Sequence, residues 1–222
     1  MNNVKDSLIA DLQRLPGIGP KQAERFAYYL MKQNKNFIDS LSKNILNIKL
    51  NSSQCAECYS FFSNTNVNVE KNKLCNICSD ESRDRKVVLI VEKELDVNAI
   101  EKTSEYSGVY FVTGGKLPFL VDDPREHIRI RELVEILRKK LDSRVENQEN
   151  SEEKTANLSE IIFALPANDE GDNQVEYIKK TITQVVGMDK VKISMLARGV
   201  STGLEMEYID HDTFKSAFSF RK

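Results

Sequence analysis

At 222 residues the chain has room for one large or two small domains, and 40% hydrophobic content is enough to build a core. No apolar run approaches the roughly 18 residues of a membrane span, so neither a membrane-spanning helix nor a membrane partner is expected. A formal net charge of −2 argues against attraction of the whole molecule to nucleic acid, so any such binding must be local.

Local positive charge gathers in the first fifty residues, where eight Lys and Arg oppose four Asp and Glu. Met1-Asn2-Asn3-Val4-Lys5 lacks the basic-then-apolar form of a signal peptide, and a cytoplasmic protein is expected. Val4, Leu8, Ile9 and Leu12 share one helical face, and Phe26, Ala27, Leu30 and Met31 share another. Between them lies Leu15-Pro16-Gly17-Ile18-Gly19-Pro20-Lys21. Gly17 and Gly19 permit positive φ in a tight turn, and Pro20 suits the first turn of the helix it opens. Such a helix start presents backbone N–H groups and a positive dipole end to a phosphate. Lys21 and Arg25, four residues apart, lie on one face beside it. The spacing predicts either a backbone-gripping DNA module or an ordinary helical hairpin with a glycine-rich corner.

All four cysteines fall together as Cys55-Ala-Glu-Cys58 and Cys75-Asn-Ile-Cys78, a C-x2-C-x16-C-x2-C pattern. That spacing reads as a structural zinc site, with four thiolates closing a tetrahedral shell and leaving no open position for catalysis. Two disulfides are the alternative, which a cytosolic compartment disfavours. The intervening stretch from Ser60 to Lys73 is polar and Asn-rich and reads as a loop or small hairpin.

Val87-Val88-Leu89-Ile90-Val91-Glu92 is an apolar run ending on a carboxylate, the pattern of a strand buried on both faces. Lys93 to Glu101 reads as an amphipathic helix running to about residue 105. Gly108 to Val112 is a second strand, closed by Gly114-Gly115, and Arg125 to Lys140 is helical. Asp142 to Ser159 has no apolar period and reads as a solvated insert. Ile161 to Leu165 is another buried strand running into an acidic loop, Asn168-Asp169-Glu170-Gly171-Asp172. A helix from about Gln174 to Val186 and a strand from Val191 to Leu196 follow. In the tail, Leu204, Met206 and Tyr208 alternate as a short strand and Asp212 suits the cap of a final helix. Strands alternating with helices predict an α/β fold with a mainly parallel sheet covered on both faces. Open sheets of this kind place ligands at the carboxyl ends of their strands, where Glu92, Glu170 and Asp172 should gather.

Strand-terminal Glu92 with the later Glu170/Asp172 pair resembles a Toprim domain, and the Gly-Ile-Gly-Pro-Lys turn resembles a helix-hairpin-helix. The order of modules, with Arg83-Asp84, Glu105-Tyr106-Ser-Gly108-Val-Tyr110, Leu196-Ala-Arg-Gly199 and Glu207-Tyr208, is similar over nearly the whole chain to the RecR family of bacterial recombination mediators. The resemblance implies a helix-hairpin-helix over 1–52, a zinc finger over 53–80, a Toprim domain over 81–196 and an oligomer-forming tail over 197–222. It further implies a homo-oligomer, a dimer or tetrameric ring, that holds DNA through Lys21, Arg25, Gly17 and Gly19. Such proteins work with RecO and RecF partners to help load RecA onto gapped DNA, and no catalytic residue is expected. Glu92, Glu170 and Asp172 would serve a partner, or Mg²⁺ in the alternative reading as a nuclease-, primase- or topoisomerase-like Toprim enzyme. Three features depart from the family pattern: the long interval between cysteine pairs, the acidic 142–159 insert, and Asn168-Asp-Glu-Gly-Asp172 in place of the usual Thr-x-Glu-Gly-Glu.

Overall fold

A computed structural model of the chain describes residues 4–63, 73–142, 158–186 and 191–197, with Gly199, Glu205, His211, Thr213, Lys215 and Ala217. The chain divides into two compact units, Met1–Ser52 and Ser53–Lys222. The first holds three helices, α1 (Val4–Gln13), α2 (Pro20–Met31) and α3 (Lys35–Leu50). Ala23 and Ala27, four apart on α2, are its fully buried residues, so small side chains let the helices approach closely. Helix α3 goes beyond the two helices expected from the sequence. Its start is set by Asn34, whose side chain accepts the Phe37 N–H at 2.9 Å. None of its residues is buried, and Phe37, Leu41, Ile45, Ile48 and Leu50 are exposed.

The second unit opens with a two-stranded sheet, β1 (Ser52–Gln54) and β2 (Phe61–Ser63), and a short helix α4 (Asn76–Ser79). The long strand β3 (Asp84–Val91) follows, then α5 (Glu94–Glu101), β4 (Gly108–Val112), a 3-10 turn over Pro124–Glu126 and α6 (Ile130–Asp142). The chain continues through β5 (Glu160–Ala164), α7 (Asp169–Val186) and β6 (Lys192–Met195). The sheet order is β4-β3-β5-β6 and every pairing is parallel. Because β3 is followed by β4 on one side and β5 on the other, its carboxyl end is the topological switch point.

Alternation along β3 separates two cores. Val88 and Ile90 join Phe111, Phe163, Leu133 and Leu137 of α6, and Ile178 and Ile182 of α7. Leu89 and Val91 face the other way, against Tyr110, Val112, Val97 of α5 and all four cysteines. Helices therefore cover both faces, as the strand-helix alternation predicts. The expected helix over 125–140 is split, since Pro124 opens a 3-10 turn and Asp123 accepts the Arg125 N–H at 2.9 Å. Residues 143–157 of the predicted insert, 64–72 of the predicted cysteine loop and most of the predicted tail lie outside the described residues, while Leu158, at the end of the insert expected to be solvated, is buried in the core.

Candidate metal centre and carboxylate edge

The cysteine cluster is assembled by backbone that the sequence spacing prepares. Cys75 caps the four-residue α4 by accepting the Cys78 N–H, and the Cys75 N–H points to the Cys55 sulfur at 3.4 Å. All four sulfurs lie within 4.8 Å of one another, with Cys58 and Cys75 at 3.6 Å, and none is in a disulfide. Four thiolates bound to zinc at about 2.3 Å would stand about 3.8 Å apart at the corners of a tetrahedron, so the donor set fits such an ion. Hydrogen bonding among the sulfurs, led by Cys58, pushes the Cys55 thiol down, whereas Cys78, held first by Cys55, is pushed up. A bound cation removes that inequality by taking all four as thiolates. The cysteines are also nearly inaccessible, each 6% exposed or less.

This centre is tied into the edge of the main sheet. The Val112 N–H of β4 donates to the Cys58 carbonyl at 2.9 Å, and Arg85 Nη2 of β3 donates to the Cys78 carbonyl at 2.6 Å. Tyr59, next to Cys58 and in the left-handed region at φ 61°, crosses the edge of β4 to pack on Phe111 at 5.6 Å. Arg129 Nη1 fastens the crossing by donating to the Tyr59 and Val112 carbonyls at 3.2 and 3.0 Å.

At the carboxyl end of the sheet, Glu92 stands just past β3 and is 6% exposed. Its backbone carbonyl accepts from Gly114 N–H at 2.9 Å, and its carboxylate is 4.0 Å from Lys93 Nζ. Glu170 and Asp172 are found elsewhere than in the expected acidic loop: helix α7 begins at Asp169 and carries both in its first turn. Asn168 makes this possible by capping, its side chain accepting the Gly171 N–H at 2.9 Å and its carbonyl the Asp172 N–H. Acidic residues suit that end of the helix dipole. Gly171 is required there, because a Cβ at 171 would run into the Pro166 carbonyl oxygen. Glu170 is exposed and ion-paired to Lys116 at 3.2 Å, while Asp172 lines a cleft shared with Asp96 of α5 and Val175. Among the described residues the four cysteines are the group whose ligand atoms gather closely enough for one ion, and Glu92, Glu170 and Asp172 are not drawn into such a group.

Two residues at this edge escaped the sequence reading. Gln174, 1% exposed, accepts the Leu117 N–H at 3.1 Å and donates to Thr113 Oγ1 and the Gly115 carbonyl. Thr113 in turn donates to the Glu92 carbonyl at 3.4 Å, so a hydrogen-bond chain links the end of β3 to α7. Arg129 is the other. A buried amide or a carbonyl-clamping arginine carries no motif, and only the fold reveals them.

In the first unit, the Gly17 turn has φ 79° and α2 starts at Gly19 without a side-chain cap. Nothing lies within 4 Å of a Cβ built at Gly17 or Gly19, so the turn's outer surface is open to approach. Lys21 and Arg25 are both exposed and line one shallow groove along α2.

Comparison with known proteins agrees with both halves. Residues 6–49 match a model for the RecR helix-hairpin-helix and residues 86–197 one for the Toprim domain. The chain is 31% identical to the recombination protein RecR of Chloroherpeton thalassium, over 97% of this chain and 95% of that one. It is 32% identical to that of Tropheryma whipplei, covering 99% and 96%, and 33% to that of Rhodococcus jostii, covering 97% and 95%. With the two modules in order on one chain, and relatives at this identity aligned almost end to end, the protein belongs to the RecR family.

Proposed function

We propose that the protein is a DNA-binding recombination mediator, a non-catalytic clamp that acts in the repair of gapped DNA. The observation that carries this is the exposed face of α2. Lys21 and Arg25 project one turn apart beside an uncapped helix start, in the segment matching the RecR helix-hairpin-helix. Such an arrangement grips phosphates through charge and helix dipole without reading bases. The four cysteines hold a structural Zn²⁺, whose closed thiolate shell fixes the finger against β4 and offers no site for water. Of the three acidic residues, the exposed Glu170 and the cleft-lining Asp172 meet a basic surface on a RecO-like partner, Glu92 being 6% exposed at the end of β3, with RecF and RecA downstream in the same process. The protein works as a homo-oligomer, a reading supported by the uncovered apolar side chains of α3.

The experiment is a DNA titration with the double variant Lys21→Glu, Arg25→Glu, paired with a plasmid assay in Mg²⁺. Binding should weaken across all sequences, and the salt dependence should fall by about two phosphate contacts. Thermal stability should hold, since both side chains are exposed. Unchanged affinity at low salt with the fold intact returns α2 to an ordinary helical hairpin. Nicking or relaxation of the plasmid that stops in Glu92→Gln overturns the non-catalytic reading in favour of a Toprim enzyme.

A further inference from the structure

Lys21, Arg25, Tyr28, Tyr29 and Lys32 recur at i, i+4, i+7, i+8 and i+11, one continuous face of α2 extended by its C-cap residue Lys32. With Glu24 they line a single groove, and at 1.5 Å per residue the stripe runs for about 16 Å. The tyrosines are not core residues that happen to sit near charge. Ala23 and Ala27 take the buried face, whereas Tyr28 and Tyr29 remain 46% and 54% exposed. Their rings are nonetheless held in place. Lys5 of α1 lies 5.2 Å from the Tyr28 centroid, with its Nζ donating to the Tyr28 hydroxyl at 3.4 Å. Tyr29 stands at 88° to Phe37 of α3, centroids 6.4 Å apart. A pair of propped, half-exposed rings flanked by cations is what an unpaired nucleotide requires: charge tracks its backbone and a ring face stacks its base. Duplex DNA hides its base faces and has no use for the rings.

We propose that Tyr29, with Tyr28 beside it, is a base-stacking platform that gives this face of α2 a preference for single-stranded DNA. The inference rests on α2 being the DNA-contact element and adds to it the residue that separates single strands from duplex. Tyr28 is the more covered of the two, because Lys5 occupies part of its surroundings, so Tyr29 carries the larger share.

The test uses the full chain with a labelled oligo-dT strand and a blunt duplex. Tyr29→Leu keeps apolar bulk against Phe37 but removes the π face, and should lower single-strand affinity roughly tenfold while leaving duplex affinity within about twofold. Tyr29→Phe should retain the preference, and a 2-aminopurine base in the oligonucleotide should be quenched by the original chain and by Phe but not by Leu. Equal loss on both DNAs, or no loss on either, overturns the proposal while the charge variant at Lys21 and Arg25 still weakens binding. If that charge variant changes neither affinity, the DNA-contact reading itself falls, and the platform with it.

Discussion

Arg83 grips Glu101 through both terminal guanidinium nitrogens, and the Tyr110 hydroxyl donates to the same carboxylate at 2.6 Å. Arg83 also donates to the Tyr106 and Gly108 carbonyls, so one side chain joins the end of α5 to the start of β4. The hydrogen bonds from Arg83 hold the Glu101 carboxyl below its ordinary value of 4.5, against the opposing effect of burial, with Tyr110 adding to the depression. A depressed carboxyl binds fewer protons folded than unfolded. Its contribution is therefore fully present above pH 4.5 and fades as the pH falls through the lower, folded value. Glu101→Gln should cost about 2 kcal/mol at pH 7, and the gap to the original chain should narrow on acidification, as followed by denaturant melts at several pH values. A pH-independent gap would place the loss in packing instead. At this scale the sequence was unevenly informative. The two Cys-x2-Cys pairs announce a candidate metal site by spacing alone, because ligand chemistry fixes the interval within each pair. Gln174 and Arg129 do not, since their partners are backbone carbonyls and amides supplied by the fold.

Strands β3, β4 and β5 were legible from their apolar runs: β4 is buried throughout and β3 over Val88–Val91, while β5 alternates buried and half-buried positions. Helix α7 was legible only from Gln174 onward. Its first turn, with Gly171 and three acidic residues, has the composition of a loop, and it is Asn168 capping with the close approach at Pro166 that makes it helical. Helix α3 was missed for a different reason: its apolar side chains face no core within the described residues, so no partner element called attention to them. Phe37, Leu41, Ile45 and Ile48 follow i, i+4, i+8 and i+11, and Ile45 and Ile48 are 60% and 71% exposed. A stripe of that length left in water is unfavourable, and a second copy of the chain is the occupant that the homo-oligomer reading supplies. Ile45→Glu should then lower the assembly's mass by light scattering while preserving the monomer's helical content. An assembly of unchanged mass would move the oligomer contact to another surface.

Across the whole second unit, the cysteine centre and the Toprim sheet share one core. Leu89 and Val91 of β3 pack in the same cluster as Cys55, Cys58, Cys75 and Cys78, and the Cys58–Tyr59 turn wraps the edge of β4 to reach the other face. A finger attached as a satellite would lose its metal locally, leaving the sheet intact. A metal held there would contribute folding free energy to the sheet as well, because releasing the thiolates would free the turn that closes the β4 edge. Chelation, or Cys58→Ala, should therefore lower the melting temperature of the whole unit and expose apolar surface to a hydrophobic dye. The Val112 amide, paired to Cys58, should lose its protection from hydrogen exchange along with those of β3. Elemental analysis should find one Zn²⁺ per chain, and iron or no metal would contradict that assignment. If chelation strips the metal while amide exchange in β3 and β4 stays slow, the finger is energetically separate and the shared core is only a geometric one.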